Sequence, residues 1–593
     1  MGKSRIARLE LAAFALLTLS ALMISGCQGE EVSLPIASEE PRVVSALPQG
    51  DSGVAPPESF PFYRMKSGDA FWYQNESGAF DSSGIIMRDY EDQGIHYHPV
   101  LLATYALRLY DSYYVSRAED ARGRFLLYAD WLVDNLKPWG DGWAWVYDVP
   151  NPSFGARGQW ISGMAQGLGI AVLAQAWAIT GEHQYLNAAD QAMDVFELNL
   201  SAGGVLTLLP DGGWWYEEVA SPDTESSLIL NGCIFAVIGL GYYADIVNDT
   251  RARHLYEAGV QGIRELLPDF DGYYSSLYCL LPAGELRPTG DYYNIVHVQQ
   301  LLELWRREAS IVFAEYALRF LEYQADAQLD PEITVRVSKG DEVQQGAPDD
   351  ITDILSDVQG YWEYSAAQDA TLSFRDISGL PVVGVALREW QGNHLGDFDV
   401  SLRDENGEEY LVGSVRTDTG SSTHASVLKL KVRNRDAEVW FFALNEPCVS
   451  GSGELRLRSA SAGLRQLRLV HDYPYVVAPT DSRLVLQEAV LYMFDGNDDT
   501  GWNIPDDSVA LLLRSGTSAE HVILTWSTGS GELYKESLDL TTEDVSCLSA
   551  TDGGSEWFIE FERLGGDIFR AEVRAGYSSG VRLHEFSSES GDS

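Results

Sequence analysis

From about residue 95 to 325, apolar side chains recur three and four residues apart in eight successive segments: 99–114, 118–135, 158–180, 183–198, 226–248, 251–267, 292–307 and 311–325. That spacing lines one face of an α-helix. The gaps carry turn chemistry, as in Pro138-Trp139-Gly140-Asp141-Gly142 and Pro210-Asp211-Gly212-Gly213. Helices in succession, with no strand of useful length between them, must bury their apolar faces on one another. The pattern therefore predicts an α/α toroid, that is, an incomplete α/α barrel of antiparallel helical hairpins joined by long aromatic loops.

The remainder reads differently, so the chain is multidomain α + β. Segments 333–337, 370–374, 382–388, 398–402, 427–432, 439–443 and 455–458 are short, rich in Val, Ile, Leu and Phe, and punctuated by Gly, Asp and Asn. This predicts a β-sandwich module over 329–475. Segments 482–493, 508–513, 522–527, 532–539, 557–563 and 567–575 predict a second β-sandwich module over 476–593. Before the helices, 60–95 reads as short strands and loops, so the catalytic domain is expected over 59–328. Residues 28–58 are dominated by Glu, Ser, Pro and Gly without a period and read as a disordered tether.

Residues 1–27 read as an export signal. Lys3, Arg5 and Arg8 precede an apolar stretch of signal-peptide length over 11–24. It ends in Ile24-Ser25-Gly26-Cys27, which resembles a bacterial lipobox. The resemblance implies cleavage before Cys27 and lipidation of its sulfur, anchoring an exported protein to the cell envelope, at the cell membrane or the outer membrane facing the periplasm. Of the other cysteines, Cys233 and Cys279 sit in apolar runs and read as buried thiols.

Charge narrows the partners. The chain has 41 basic and 88 acidic residues, a net charge of −47, and only seven lysines. Nucleic acid is excluded as a partner, because phosphate binding needs a basic footprint, and membrane contact is left to the lipid anchor. No phosphate loop, nucleophile elbow or nicotinamide fingerprint is present, and no cofactor is expected. No metal is expected either: His96-Tyr97-His98 lacks a third spaced ligand, and the acidic run 495–499 lacks the full calcium-loop pattern.

The segment richest in chemistry is Gly213-Trp214-Trp215-Tyr216-Glu217-Glu218. Aromatic faces bind the C–H faces of sugar rings, and carboxylates bond hydroxyls or move protons. A packed interhelical loop is the other reading of the same residues. Several segments then resemble the D-glucuronyl C5-epimerase family in collinear order. Trp160-Ile161-Ser162-Gly163-Met164-Ala165-Gln166-Gly167 resembles its W-x-S-x-MAQG segment, and Trp215-Tyr216-Glu217-Glu218 its WYEEY. The run 226–240 (SSLILNGCIFAVIGL) resembles SS-x-VLNGFIFSLIGL. Ser275-Ser276-Leu277-Tyr278 resembles SLYDLR, and Asp291-Tyr292-Tyr293 with His297 resembles DYH and the histidine that follows. The resemblance implies a catalytic α/α barrel. The chain departs from it where the tyrosine after the paired glutamates is Val219, and where the Asp and Arg of YDLR are Cys279 and Leu281. No role is carried to those positions.

The resemblance implies polysaccharide uronate C5-epimerisation of D-glucuronate to L-iduronate, or a related pair, in an acidic polymer such as heparosan. A uronate carboxylate acidifies C5 poorly, so a cation must offset the developing charge, and two proton-handling groups must flank the ring. Carried over, the catalytic candidates are Glu218, Tyr278 and Tyr292. With Leu281 in place of an arginine, the cation is sought at Arg287, Arg157 or His297. The expected substrate-binding set is Tyr97, His98, Arg157, Trp160, Gln166, Trp215, Tyr216, Glu217, Asn231, Arg287 and His297. The Arg306-Arg307 pair is a further candidate for attracting the polymer. A polysaccharide lyase sharing the same carbanion, and a noncatalytic glycan-binding lipoprotein, are the alternatives. The resemblance also leaves a homodimer open.

Overall fold

The structure is a computed structural model. It describes residues 78–90, 93–282, 286–289 and 291–326, and beyond them the strands and some flanking turns between 332 and 589. The signal segment with Cys27, the tether, the segment 482–493 and the acidic run 495–499 lie outside the described residues.

Eight α-helices are present among the described residues before residue 330: α1 (Pro99–Ser116), α2 (Glu119–Asn135), α3 (Gly163–Thr180), α4 (His183–Met193), α5 (Leu230–Val247), α6 (Thr250–Leu266), α7 (Asp291–Glu308) and α8 (Ile311–Asp326). They pair as α1–α2, α3–α4, α5–α6 and α7–α8. Each pair is joined by a turn that opens on a left-handed residue: Arg117, Gly181, Asn248 or Ala309. Such a residue stops a helix and reverses the chain within two positions. The odd-numbered helices pack in a row, α1 on α3, α3 on α5 and α5 on α7, and each even-numbered helix packs on its hairpin partner.

Helices α3 and α5 are apolar all round. They are long and apolar enough to cross a membrane, yet both are buried inside the protein, which is the pattern of a central helix. Their backbones nearly touch: a Cβ on Gly239 would sit 2.2 Å from the Gly167 carbonyl oxygen. Both helices begin later than the periodicity suggests. Ser162 caps α3 by accepting from Ala165 N–H at 3.2 Å, and residues 226–228 are held in a loop before α5 by a buried glutamate described below.

The links from α2 to α3, α4 to α5 and α6 to α7 are long and hold short antiparallel strand pairs. All of them deliver the chain to the N-terminal ends of the odd-numbered helices. One end of the helical arc is thus built of loops and helix N-termini.

Past residue 330, a seven-stranded sheet (outer strands Glu342–Gly346 and Ser421–Ser422) and a five-stranded sheet (outer strands Trp362–Ser365 and Val427–Val432) share one apolar core. Leu372, Phe398 and Leu455 from the first meet Val385, Phe442 and Leu467 from the second. A further five-stranded sheet and a four-stranded sheet follow between Tyr475 and Glu589. The first sheet pair is tied to the helices. Phe441 and Val470 join the helical core, and the buried His471 lies 2.7 Å from Asp326 at the end of α8 and 3.3 Å from Asp376.

Candidate active site

Strand Trp214–Tyr216 runs into the two glutamates, and their environments diverge at once. Glu217 is fully buried and accepts from Thr207 Oγ1 (3.0 Å), Ser226 Oγ, Ser227 N–H (2.9 Å), Ser227 Oγ (3.0 Å) and Leu228 N–H (3.1 Å). These bonds clamp the loop before α5, in which Leu228 holds a positive φ of 44°. Burial still pushes its carboxyl above the usual range, against those bonds. With its acceptor sites filled, Glu217 is a structural anchor and not a substrate ligand.

Glu218 is half-exposed and packs against Gly232 in the first turn of α5. Its Oε2 is buried with no hydrogen-bond partner among the described residues. Burial, then the adjacent charge of Glu217, lifts its carboxyl from 4.5 to about 7. A carboxyl tuned to neutrality and lacking a partner suits proton transfer.

Three tyrosines feel the charge of Glu218: Tyr147, Tyr278 and Tyr293. Tyr147 lies on strand Val146–Tyr147 opposite Trp160, and the two rings stack at 3.9 Å. Tyr278 and Tyr293 meet edge to face at 4.9 Å and share a hydrogen bond donated by Tyr278. Burial and the Glu218 charge push Tyr293 up to about 12, against the opposing pull of Arg88. Burial also drives Tyr278 well above its ordinary value, opposed by Arg287. Both hold their protons at neutral pH and can donate.

The aromatic wall continues to His98, which caps α1: its Nδ1 lies 3.2 Å from Leu101 N–H and 3.4 Å from Tyr147 Oη. Burial and the charge of Arg88 hold His98 well below its usual range, so it is neutral. On the other flank, Val219, Cys279 and Leu281 pack with Tyr147, Trp160, Ile229 and Phe154 in one apolar cluster. The three departures from the family pattern are thus neighbours in space.

The expected residues separate accordingly. Glu218, Tyr278 and His98 gather around Tyr147: the charge of Glu218 acts on Tyr278 and Tyr147, and His98 lies beside the Tyr147 hydroxyl. Asn231 precedes Gly232, and its buried Oδ1 has no partner among the described residues. Arg287 lies over the Phe154 ring at 5.3 Å. Trp160 serves by backing Tyr147, with its indole N–H bonded to Val149 O at 2.7 Å. Arg157 is exposed on the loop before it. Tyr292 begins α7, but its side chain lies outside the described residues. Tyr293 and Tyr147, which the sequence reading passed over, stand in the cleft. Tyr293 could have been found from its spacing: it lies one turn before His297.

Several expectations fail. Trp215 is fully buried and stacks on Phe270, and Tyr216 is buried with its hydroxyl donating to Leu255 O at 2.6 Å. The amide of Gln166 is used up by the backbone of Trp145, with both bonds at 3.1 Å. Tyr97 donates to Asp81 at 2.7 Å and packs on Trp131. His297 is fully buried, bonds Ser276 Oγ at 2.8 Å and is pushed by burial to about 3, so it supplies no positive charge. Arg306 and Arg307 are held by Glu303 and, for Arg307, Asp245, at the far end of α7. Cys233 and Cys279, by contrast, are buried thiols as their apolar runs predict.

Comparison with known proteins finds relatives of the helical region. The family described as "D-glucuronyl C5-epimerase C-terminus" matches residues 142–322. The chain is 32% identical to the D-glucuronyl C5-epimerase of Caenorhabditis elegans over 224 residues, which is 35% of this chain and 36% of that protein. It is 25% identical over 181 residues to an uncharacterized protein of Methanocaldococcus jannaschii, covering 30% of this chain and 57% of the other. The chain therefore spans between about a third and just over half of these relatives. A D-mannose isomerase structure aligns with a TM-score of 0.32 and 12% identity, covering 39% of this chain and 60% of that one.

Proposed function

We propose, from the match of residues 142–322 to the D-glucuronyl C5-epimerase C-terminal family, that this chain is a uronate C5-epimerase acting within an acidic polysaccharide. The observation that carries the reading is the pairing of Glu218 with Tyr293 and Tyr278. One carboxyl sits near neutrality and two hydroxyls keep their protons.

The chemistry follows from that difference. Ionised Glu218 takes the C5 proton, the C5–H bond breaks, and the electron pair moves into the uronate as an enolate. Tyr293 gives its proton to C5 from the opposite face. The phenolate left behind accepts the Tyr278 hydroxyl bond, and solvent returns the protons. The polymer lies over Tyr278 and His98, with Tyr147 buried behind them. D-Glucuronate to L-iduronate in a heparosan-like chain is the reading of substrate and direction. The helical hairpins form the incomplete α/α toroid that carries this site, and the two sheet pairs behind them are two β-sandwich modules. The resemblance of Ile24-Ser25-Gly26-Cys27 to a lipobox supports a lipid anchor on Cys27 and a location at the cell envelope.

The test is incubation with heparosan and other uronate polymers in deuterated water. Deuterium at C5 in chains of unchanged length is the expected result. Unsaturated uronate ends and falling chain length would make the protein a lyase. Binding without either, a reading that the apolar residues at 219, 279 and 281 favour, would end both enzymatic assignments.

A further inference from the structure

The reaction needs a cation for the uronate carboxylate, and the flank formed by Val219, Cys279 and Leu281 is apolar. We propose that Arg88, on strand Ile86–Asp89 ahead of the helical arc, is the residue that binds the uronate carboxylate in this cleft. The proposal rests on the epimerase reading for the identity of the ligand, and on the geometry of Arg88 for its place.

Strand pairing sets Arg88 opposite His96, two residues before the cap of α1. Its guanidinium lies over the Tyr90 ring at 5.3 Å, and Nη1 lies 3.3 Å from His98 Nε2. Both neighbours are neutral. A neutral imidazole has a single acceptor nitrogen, and the Leu101 N–H that caps α1 points at the other one. The helix cap and Arg88 therefore compete for His98, and the guanidinium fork is under-satisfied.

The contrast with other arginines is direct. Arg251, Arg307, Arg319, Arg416 and Arg458 each contact a carboxylate within 3 Å. Arg88 and Arg287 both reach the tyrosines with no acidic partner among the described residues, but Arg287 lies over the Phe154 ring on the apolar flank whereas Arg88 lies beside His98 on the Tyr293 side; in a chain with 88 acids against 41 bases, such a guanidinium is available to a ligand. A guanidinium fork matches a carboxylate in two parallel bonds.

Arg88 also lies on the correct side. Its charge acts on Tyr293 and Tyr147, as does that of Glu218, whereas burial and Glu217 alone shift Glu218. Arg88 thus lies on the Tyr293 side of the cluster, in contact with His98 and Tyr90. A uronate with its carboxylate on Arg88 is held beside the proton donor.

The experiment is calorimetric titration of full-length protein with a heparosan oligosaccharide and with its carboxyl-reduced counterpart. The wild type is expected to prefer the uronate, and Arg88→Gln to lose roughly 10- to 100-fold in affinity for it while binding the reduced form unchanged. Arg88→Lys, which keeps the charge but not the fork, should fall between them, and Arg122→Gln on the outer helix α2 should match the wild type. Melting curves of each variant exclude unfolding as the cause. Undiminished preference for the uronate in Arg88→Gln would overturn the proposal, as would a wild type that does not distinguish the two sugars. Deuterium exchange reports separately on the epimerase reading. Exchange without Arg88-dependent preference removes Arg88 alone, and Arg88-dependent preference without exchange removes the epimerase assignment alone.

Discussion

Gly232 offers a way to move the base without changing it. A Cβ at this position would lie 2.3 Å from Glu218 Oε2, 2.5 Å from its Cβ and 2.8 Å from its Cγ, about an ångström inside ordinary contact. The carboxylate could swing aside, but the Cβ of Glu218 cannot. Its backbone is held on both sides: the Glu217 carbonyl accepts Gly163 N–H at 2.8 Å, and Ala220 pairs with Ile161. In Gly232→Ala the added methyl must therefore displace either the strand or the start of α5. A shift of about 1 Å in a catalytic group costs on the order of 100-fold in rate. Overpacking costs roughly 1–3 kcal/mol, and the better helix propensity of Ala returns about 1 kcal/mol. The expected variant is folded, melts within a few degrees of the wild type, and exchanges deuterium into C5 about two orders of magnitude more slowly. Wild-type exchange rates in Gly232→Ala would refute the placement of Glu218 at the reacting carbon.

Other consequences are equally direct. Because burial and Glu217 raise the Glu218 carboxyl to about 7 and the base must be ionised, kcat/KM should climb with pH and level off above about 7. Glu217→Gln should move that rise to lower pH while lowering the melting temperature, since five donors lose their anion. A profile flat between pH 5 and 8 would remove Glu218 as the base. Tyr293→Phe removes the proton donor and the acceptor of the Tyr278 hydroxyl while keeping the ring, so exchange should drop by about 10²–10⁴-fold with a modest loss of stability, about 1 kcal/mol; retained exchange would shift the role to Tyr278. At His471, burial opposes the charge, yet Asp326 and Asp376 outweigh it and lift the imidazole from 6.5 to about 9. The stabilisation, on the order of 3 kcal/mol, is complete below about pH 6.5 and lost as pH rises through 9. His471→Ala should flatten the decline in melting temperature over that range. Finally, activity should hold or rise with added salt, and loss at moderate salt would mean that long-range steering delivers the substrate.

What the sequence disclosed was what depends on periodicity. The eight helices followed from spacings of three and four, and the site's end of the arc from the long loops between hairpins. The exceptions have physical causes. Residues 226–228 continue the helical pattern of α5 but are held as a loop by Glu217, a contact made across nine to eleven residues of loop. Trp215 and Tyr216 looked like a sugar platform beside carboxylates. They lie on a strand covered on both faces, by Phe270 on one and by Leu255 and Phe196 on the other, and alternation cannot reveal that. Between Tyr292 and Tyr293 the decision falls to about 100° of helical rotation, which a motif match does not resolve. Arg88 was illegible for a different reason: it lies outside the matched segment and reaches the cleft only through the pairing of two short strands.

On the proposed function, the same arrangement removes the conflict between a net charge of −47 and an anionic substrate. Exposed charges more than about 8 Å apart are largely screened at physiological salt, so the surface excess weighs little on a chain already at the cleft. Inside the cleft the balance is local. Arg88 and Arg287 are the described cations facing the tyrosines, and the N-terminal ends of α1, α3, α5 and α7 add partial positive charge. Among the described residues Glu217 is taken up by its five donors, which leaves Glu218, a carboxyl near 7 that is about half neutral at physiological pH. An incoming uronate raises it further by like-charge repulsion, which would starve the reaction of base if the two carboxylates met. On the proposed reading, a substrate carboxylate held by Arg88 leaves the one raised carboxyl, Glu218, free to serve as the base for a negatively charged sugar.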